Sequence, residues 1–251
     1  MLFRSTVNET FTVTAQNGSA TKTYVVSITR LAASLSLSTV AVDSATVTAD
    51  GTSSTTIRVQ LKDSTGTNLT TSGGTLTFAS AGIGTITNVV DNGDGTYTAK
   101  YTAGTALGTA TITASINNQA ISSSSPTISL VAGAAAKMVL TTSADSAYSG
   151  YSFGVQPVVQ LRDAFDHDVT TSGVAITVSL NTGSFTSAST TTINTVNGVA
   201  TFSDLQIDIA GIYTLSFDAS ALTSVTQTNF TVGSGDPFKR SEEHTSELQS
   251  H

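Results

Sequence analysis

Acidic residues are the side chains in this sequence whose spacing comes nearest to a chemical site. Asp163, Asp166, His167 and Asp168 crowd one short run, and carboxylate oxygens and imidazole nitrogens are ordinary ligands of divalent cations. The same run also fits a turn between two strands, where Asp accepts hydrogen bonds from neighbouring backbone N–H groups. Asp91 and Asp94, in the run "DNGDG", offer a parallel choice between a hairpin turn and part of a calcium loop. They lack the alternating oxygen ligands and closing Glu of an EF-hand. Asp43, Asp50 and Asp63 form a third set that could meet near a domain junction. A turn is the preferred reading of the first two sets, so no metal or cofactor is expected, and calcium is the ion to test.

Covalent catalysis finds little material here. Cysteine is absent, which removes thiol nucleophiles, disulfides and cysteine-based zinc sites. Of three histidines, His244 and His251 lie in an aberrant C-terminal run, leaving His167 alone in the body of the chain. A Ser/His/Asp or Cys/His arrangement is therefore not expected, nor is an enzyme. Tyr97 and Tyr213 each follow a glycine by two positions. They could serve as sugar platforms, but both fall on inward-facing rows and read as core.

The elements that carry these residues are strands. Charged residues make up 11% of the 251 residues and aromatics 6%, while Thr-x-Thr alternation recurs throughout, as in half-buried strands. Ile57, Val59 and Leu61 alternate with Arg58, Gln60 and Lys62, placing one face in a core and the other in water. Tyr97, Ala99 and Tyr101 repeat the pattern, as do Ala110, Ile112, Ala114 and Ile116, and then Tyr213, Leu215 and Phe217. With a net charge of -7 and no basic cluster, neither nucleic acid nor an anionic membrane is a suitable partner. No stretch approaches the length of a membrane span.

An internal repeat divides the chain. "VQLKD" at Val59 to Asp63 returns as "VQLRD" at Val159 to Asp163, and "TTSG" at Thr70 to Gly73 returns at Thr170 to Gly173. With three further residues inserted, "GTYTAKY" from Gly95 aligns with "GVATFSD" from Gly198. Two copies of one fold follow, each of about seven short strands at sandwich spacing. The expected class is all-β, with tandem immunoglobulin-like β-sandwich domains at 31–131 and 132–235. The short "LVAGAAAKMVL" junction between them restricts domain motion.

Residues 1–30 read as the C-terminal hairpin of a truncated β-sandwich domain. Phe11, Val13 and Ala15 are expected to face Tyr24, Val26 and Ile28 across a turn near Asn17-Gly18. Residues 236–251 read as a non-native tail, because "RSEEHTSELQSH" from Arg240 to His251 breaks the strand pattern and resembles a translated sequencing-library adapter. A short helix opened by Ser241 is the other reading of that run. The expectation is a fragment cut at both ends, with any export signal upstream.

The stretch from Ala49 through "DNGDGTYTAKYTAGTALGTATITASIN" resembles the bacterial immunoglobulin-like domains of invasin and intimin adhesins. Its "ADG" turn, the Asp closing "VQLKD" and the "DNGDGTY" hairpin carry the likeness, although filamin repeats share the hairpin. Residues 132–235, with "VQPVVQLRDAFDHDVTTSG" and "NGVATFSDLQIDIAGIYTLSF", resemble Ig-like repeats of very large bacterial surface proteins. Residues 9–30 resemble the end of a bacterial cadherin-like domain. The resemblance implies an extracellular, cell-surface stalk. Its partners would be flanking domains of the same chain, with host or neighbour cells contacted by other domains. A spacer in a secreted exoenzyme and a carbohydrate- or receptor-binding sandwich are the competing readings, the last disfavoured by the absence of Trp.

Overall fold

Every second residue of the expected inward rows is shielded from water: Ile57, Val59, Leu61, Ala110, Ile112 and Leu215 are all fully buried. In a computed structural model describing residues 5–14, 18, 21–30, 32–123 and 125–235, these rows build sheets. Every element among the described residues is a strand. Of the expected turn at Asn17-Gly18 only Gly18 is described, and Ala15 and the run 236–251 lie outside the described residues.

β1 (Ser5–Thr14) and β2 (Thr21–Arg30) form a two-stranded antiparallel sheet. Phe11 pairs with Tyr24 as expected, but Val13 stands opposite Lys22, while Val26 and Ile28 face Glu9 and Val7. The expectation matched apolar residues to apolar residues. The observed register instead follows backbone pairing measured from the turn.

The chain divides into two compact units, Met1–Val131 and Ala132–His251. In the first, β3 (Thr39–Val42), β4 (Thr46–Thr48), β5 (Ser54–Gln60), β6 (Leu76–Ala81), β7 (Thr85–Asp91), β8 (Thr96–Thr102), β9 (Gly108–Ile116), β10 (Gln119–Ala120) and β11 (Thr127–Val131) make two sheets. One runs β3-β5-β8-β7; the other joins β6, β9, β11 and β4, with β10 folded back on the end of β9. Their facing side chains share one core, in which Tyr97 and Tyr101 are the largest buried residues.

The second unit holds β12 (Lys137–Thr142), β13 (Ala147–Tyr148), β14 (Val158–Arg162), β15 (Ala175–Leu180), β16 (Thr192–Asn194), β17 (Val199–Thr201), β18 (Gly211–Asp218) and β19 (Val225–Gly233). Its sheets are β12-β14-β17 and β13-β19-β18-β15-β16. Here the two copies part. In the first unit β7 pairs with β8, whereas its counterpart β16 pairs with β15 on the opposite sheet. The core of the second unit is also richer in aromatics, with Phe153 edge-on to Phe230 at 4.8 Å and Phe202 beside Phe217 at 5.6 Å.

Gly95 and Gly198 occupy equivalent positions, with φ of 84° and 79°. A Cβ at either would fall 2.1 Å from the Leu69 carbonyl oxygen or 1.6 Å from that of Val169. Only glycine allows the backbone to pass so closely there. Gly173, with φ of 85° and open space around it, pays the torsional cost of a side chain without the collision. Gly198→Ala is accordingly expected to destabilise the second unit by about 2–4 kcal/mol, and Gly173→Ala by about 1 kcal/mol. Calorimetric unfolding of the two variants reads the difference directly.

Candidate functional site

The repeated V-Q-L-x-D run forms the most densely bonded polar constellation in each unit. At the end of β5, Asp63 is buried, and its Oδ1 accepts the backbone N–H groups of Thr65 and Thr67 at 2.8 and 3.0 Å and the Thr65 hydroxyl at 2.7 Å. These bonds, the Thr65 hydroxyl foremost, hold its carboxyl below the usual range. After β14, Asp163 is buried in the same way, with Oδ1 accepting Phe165 N–H and His167 N–H at 2.9 Å each. Its Oδ2 accepts Gly133 N–H at 2.9 Å and lies 2.9 Å from His167 Nδ1. Burial opposes ionisation of Asp163, but the donors from Gly133, His167 and Phe165 outweigh it and bring the carboxyl down to about 2.

The glutamine of the run has a matching task. Gln160 donates its Nε2 to the carbonyls of Leu161 and Val169 at 2.9 and 3.1 Å, and Gln60 approaches those of Leu61, Gly95 and Leu69 at 2.9, 3.4 and 3.5 Å. Period-two alternation assigned Gln60 to a water-facing row, yet it is half-buried and its amide stitches three chain segments together. Two further glutamines of the second unit stand in for missing strand partners. Gln156 accepts from and donates to the Leu205 backbone at 3.1 and 3.2 Å. Gln227 does the same to Ala144 at 2.8 and 2.7 Å. Spacing carries no signal for such bonds, because their partners are remote in sequence.

The other carboxylates are engaged as well. Lys137 Nζ lies 2.7 Å from Asp166, and Arg162 Nε lies 3.0 Å from Asp168. Asp166 itself occupies a left-handed turn position at φ of 70°. Asp91 accepts from the Ser72 hydroxyl and from Gly93 N–H, and Asp94 from the N–H and hydroxyl of Thr96. Asp50 caps Thr52 and Ser53, while Asp43 forms a two-pronged, exposed pair with Arg58 at 2.7 and 2.8 Å. Each of these five, except Asp168, is held below the ordinary carboxylate range by those bonds, Asp166 first by Lys137 and Asp43 first by Arg58. The calcium candidates therefore lie apart, each with its own donors. Among the described residues no three His, Asp or Glu converge as metal ligands.

Tyr97 and Tyr213 are buried, and their hydroxyls bond backbone rather than facing outward. Tyr97 Oη donates to Gly74 O at 2.8 Å and accepts Gly73 N–H at 3.0 Å. Tyr213 Oη reaches back to Ile209 O at 2.9 Å, the corner geometry typical of sandwich folds. The sequence reading passed over one spacing: Gly150-Tyr151-Ser152-Phe153-Gly154 has the Gly-x-Ser-x-Gly form of a nucleophile elbow. In the structure Ser152 forms an isolated bridge with Gln206, and the next strand, not a helix, follows. His167 is bonded to Asp163 instead, so neither a strand-to-helix turn nor a paired base supports that serine.

Residues 34–133 match the family model described as invasin, domain 3. The first sandwich is an invasin-type domain. By fold the chain is similar to invasin, a bacterial integrin-binding protein, at a TM-score of 0.59 and 19% identity, covering 86% of this chain and 43% of that one. It is also similar to FdeC, an Escherichia coli adhesin, at 0.51 and 21%, covering 84% and 69%. Yersinia pseudotuberculosis InvD follows at 0.50 and 21%, covering 80% and 59%. The chain thus spans less than half of the invasin structure, and at these identities the likeness is one of fold. No curated protein matches the sequence.

In the invasin-type sandwich and its neighbour the polar clusters act as turn clamps, and two expectations follow. Asp163→Asn leaves the donors on Gly133 and His167 poorly matched and is expected to destabilise the second unit by about 2–3 kcal/mol, read by chemical denaturation. The Asp163 carboxyl is depressed in the fold, so its contribution is complete above about pH 4 and is lost as pH falls through about 2. That loss should be absent from the variant's stability-versus-pH curve. Adding calcium after exhaustive chelation should leave the melting temperature unchanged; a rise of several degrees would mean that an ion links these carboxylates.

Proposed function

We propose that this chain is a spacer segment of a large bacterial cell-surface adhesin and that it carries no catalysis of its own. The observation that carries the reading is the match of residues 34–133 to invasin domain 3, next to a second sandwich with the same V-Q-L-x-D clamp. Adhesin modules of this kind belong at the bacterial surface, outside the cell. The spacer role draws support from where the polar chemistry goes. Buried carboxylates, amides and phenols close the chain's own turns and edges, leaving no convergent polar set for a ligand. Contacts with a host or neighbouring cell then belong to other domains of the parent protein.

The test separates spacing from binding. Residues 32–235 would replace the sandwiches between the membrane anchor and the binding head of a surface-displayed adhesin, and the purified chain would separately coat beads. Grafted cells are expected to keep receptor binding within about twofold of the parent, and coated beads to bind epithelial cells no better than albumin-coated ones. Saturable binding of the beads, or glycan-specific capture, would sink the spacer reading.

A further inference from the structure

Charge is distributed over the invasin-type sandwich in a way that neither its fold nor its turn clamps require. Between residues 34 and 133 the charged side chains are Asp43, Asp50, Arg58, Lys62, Asp63, Asp91, Asp94 and Lys100. All belong to the β3-β5-β8-β7 sheet or to loops, and the runs 64–90 and 101–136 contain none. The opposite sheet is therefore free of charge along every strand.

Its outward side chains are also uniformly short. On β9 they are Thr109, Thr111, Thr113 and Ser115, with buried residues between them. Thr127 and Ser129 on β11 stand opposite Thr111 and Thr109, and the outward positions of β4 and β6 add only threonine and alanine. A monomer's exposed sheet face ordinarily mixes both signs of charge with long side chains. In the second unit the equivalent sheet does carry a charge, Asp218, together with an exposed Ile212.

We propose that this uncharged hydroxyl face is a self-association surface whose occupant is the same face of a second copy of the chain. Two chains of net charge -7 repel across most approaches, and this face is where that repulsion is least. Hydroxyls both donate and accept, so identical faces satisfy each other across a two-fold axis. Short side chains lose little rotamer freedom when covered. A twisted sheet is also complementary to another sheet of the same twist, packed at a small angle about 10 Å away. The face offers roughly 500 Å² per copy, below the size of a stable dimer interface. Association is accordingly weak, and it matters where many copies are held close together. The proposal stands independently of the spacer reading, since it concerns only the pairing of like faces.

Sedimentation of the full chain from about 10 μM to about 1 mM tests it, at low and at moderate salt. The expected result is a reversible rise in weight-average mass toward that of a dimer at the upper end, persisting when salt is raised. Thr113→Lys places two like charges in the contact and should abolish the rise, while Thr98→Lys on the opposite sheet should leave it intact. Thr127→Lys, at the exposed start of β11, is a second probe of the face should Thr113→Lys fail to fold, with folding judged by circular dichroism. A chain that stays monomeric to about 1 mM, or association that survives the face variants, would overturn the proposal.

Discussion

Each sandwich turns on one buried aspartate at the end of its second long strand. Asp63 and Asp163 must leave water, which is unfavourable for an ionised carboxylate unless donors replace the lost hydration. The donors come from the chain that follows, so satisfying the charge forces that chain into a tight turn. Leu69 N–H then bonds Leu61 O, and Val169 N–H bonds Leu161 O, at 2.9 and 3.0 Å. The returning hairpin is brought so close that only Gly95 and Gly198 fit beneath it. A single electrostatic requirement thereby sets the path of three segments. In the second unit it also captures Gly133, tying the entry of the chain to the same carboxylate.

The two copies show how far one clamp can be re-dressed. Thr65 and Thr67 become Phe165 and His167, so a hydroxyl partner of the carboxylate is exchanged for an imidazole stacked on an exposed ring. Around this constant turn the rest diverges. The fourth strand changes sheets, aromatic residues replace aliphatic ones in the core, and amides of Gln156 and Gln227 take over pairings that no strand supplies. Side-chain amides can do this because they present a donor and an acceptor with the geometry of a peptide group.

The polar inventory explains why so few groups are free for chemistry. With 11% charged residues and no cysteine, the chain has little with which to build a site, and much of it closes turns. Asp91 and Asp94 hold one hairpin, Asp50 a second turn, and Asp166 and Asp168 are covered by Lys137 and Arg162. The exposed ion pairs among these add little stability. Their effect on function is to leave no shared cavity of opposite charge into which a cation could settle.

Period-two alternation and the hundred-residue repeat were enough, by themselves, to determine an all-β chain with two sandwich cores, and the residues of those cores from Ile57 to Phe217. This succeeded because burial of alternate residues is a local property of a strand. The turn role of the aspartates was legible for the same reason, since their donors lie within four residues. Tertiary structure alone decided the register of the first hairpin, the sheet to which β16 belongs, the backbone partners of the glutamines, and the gathering of charge on one sheet. Those depend on contacts between residues far apart in the chain, and a linear pattern does not record which distant backbone group a strand edge or an amide will meet.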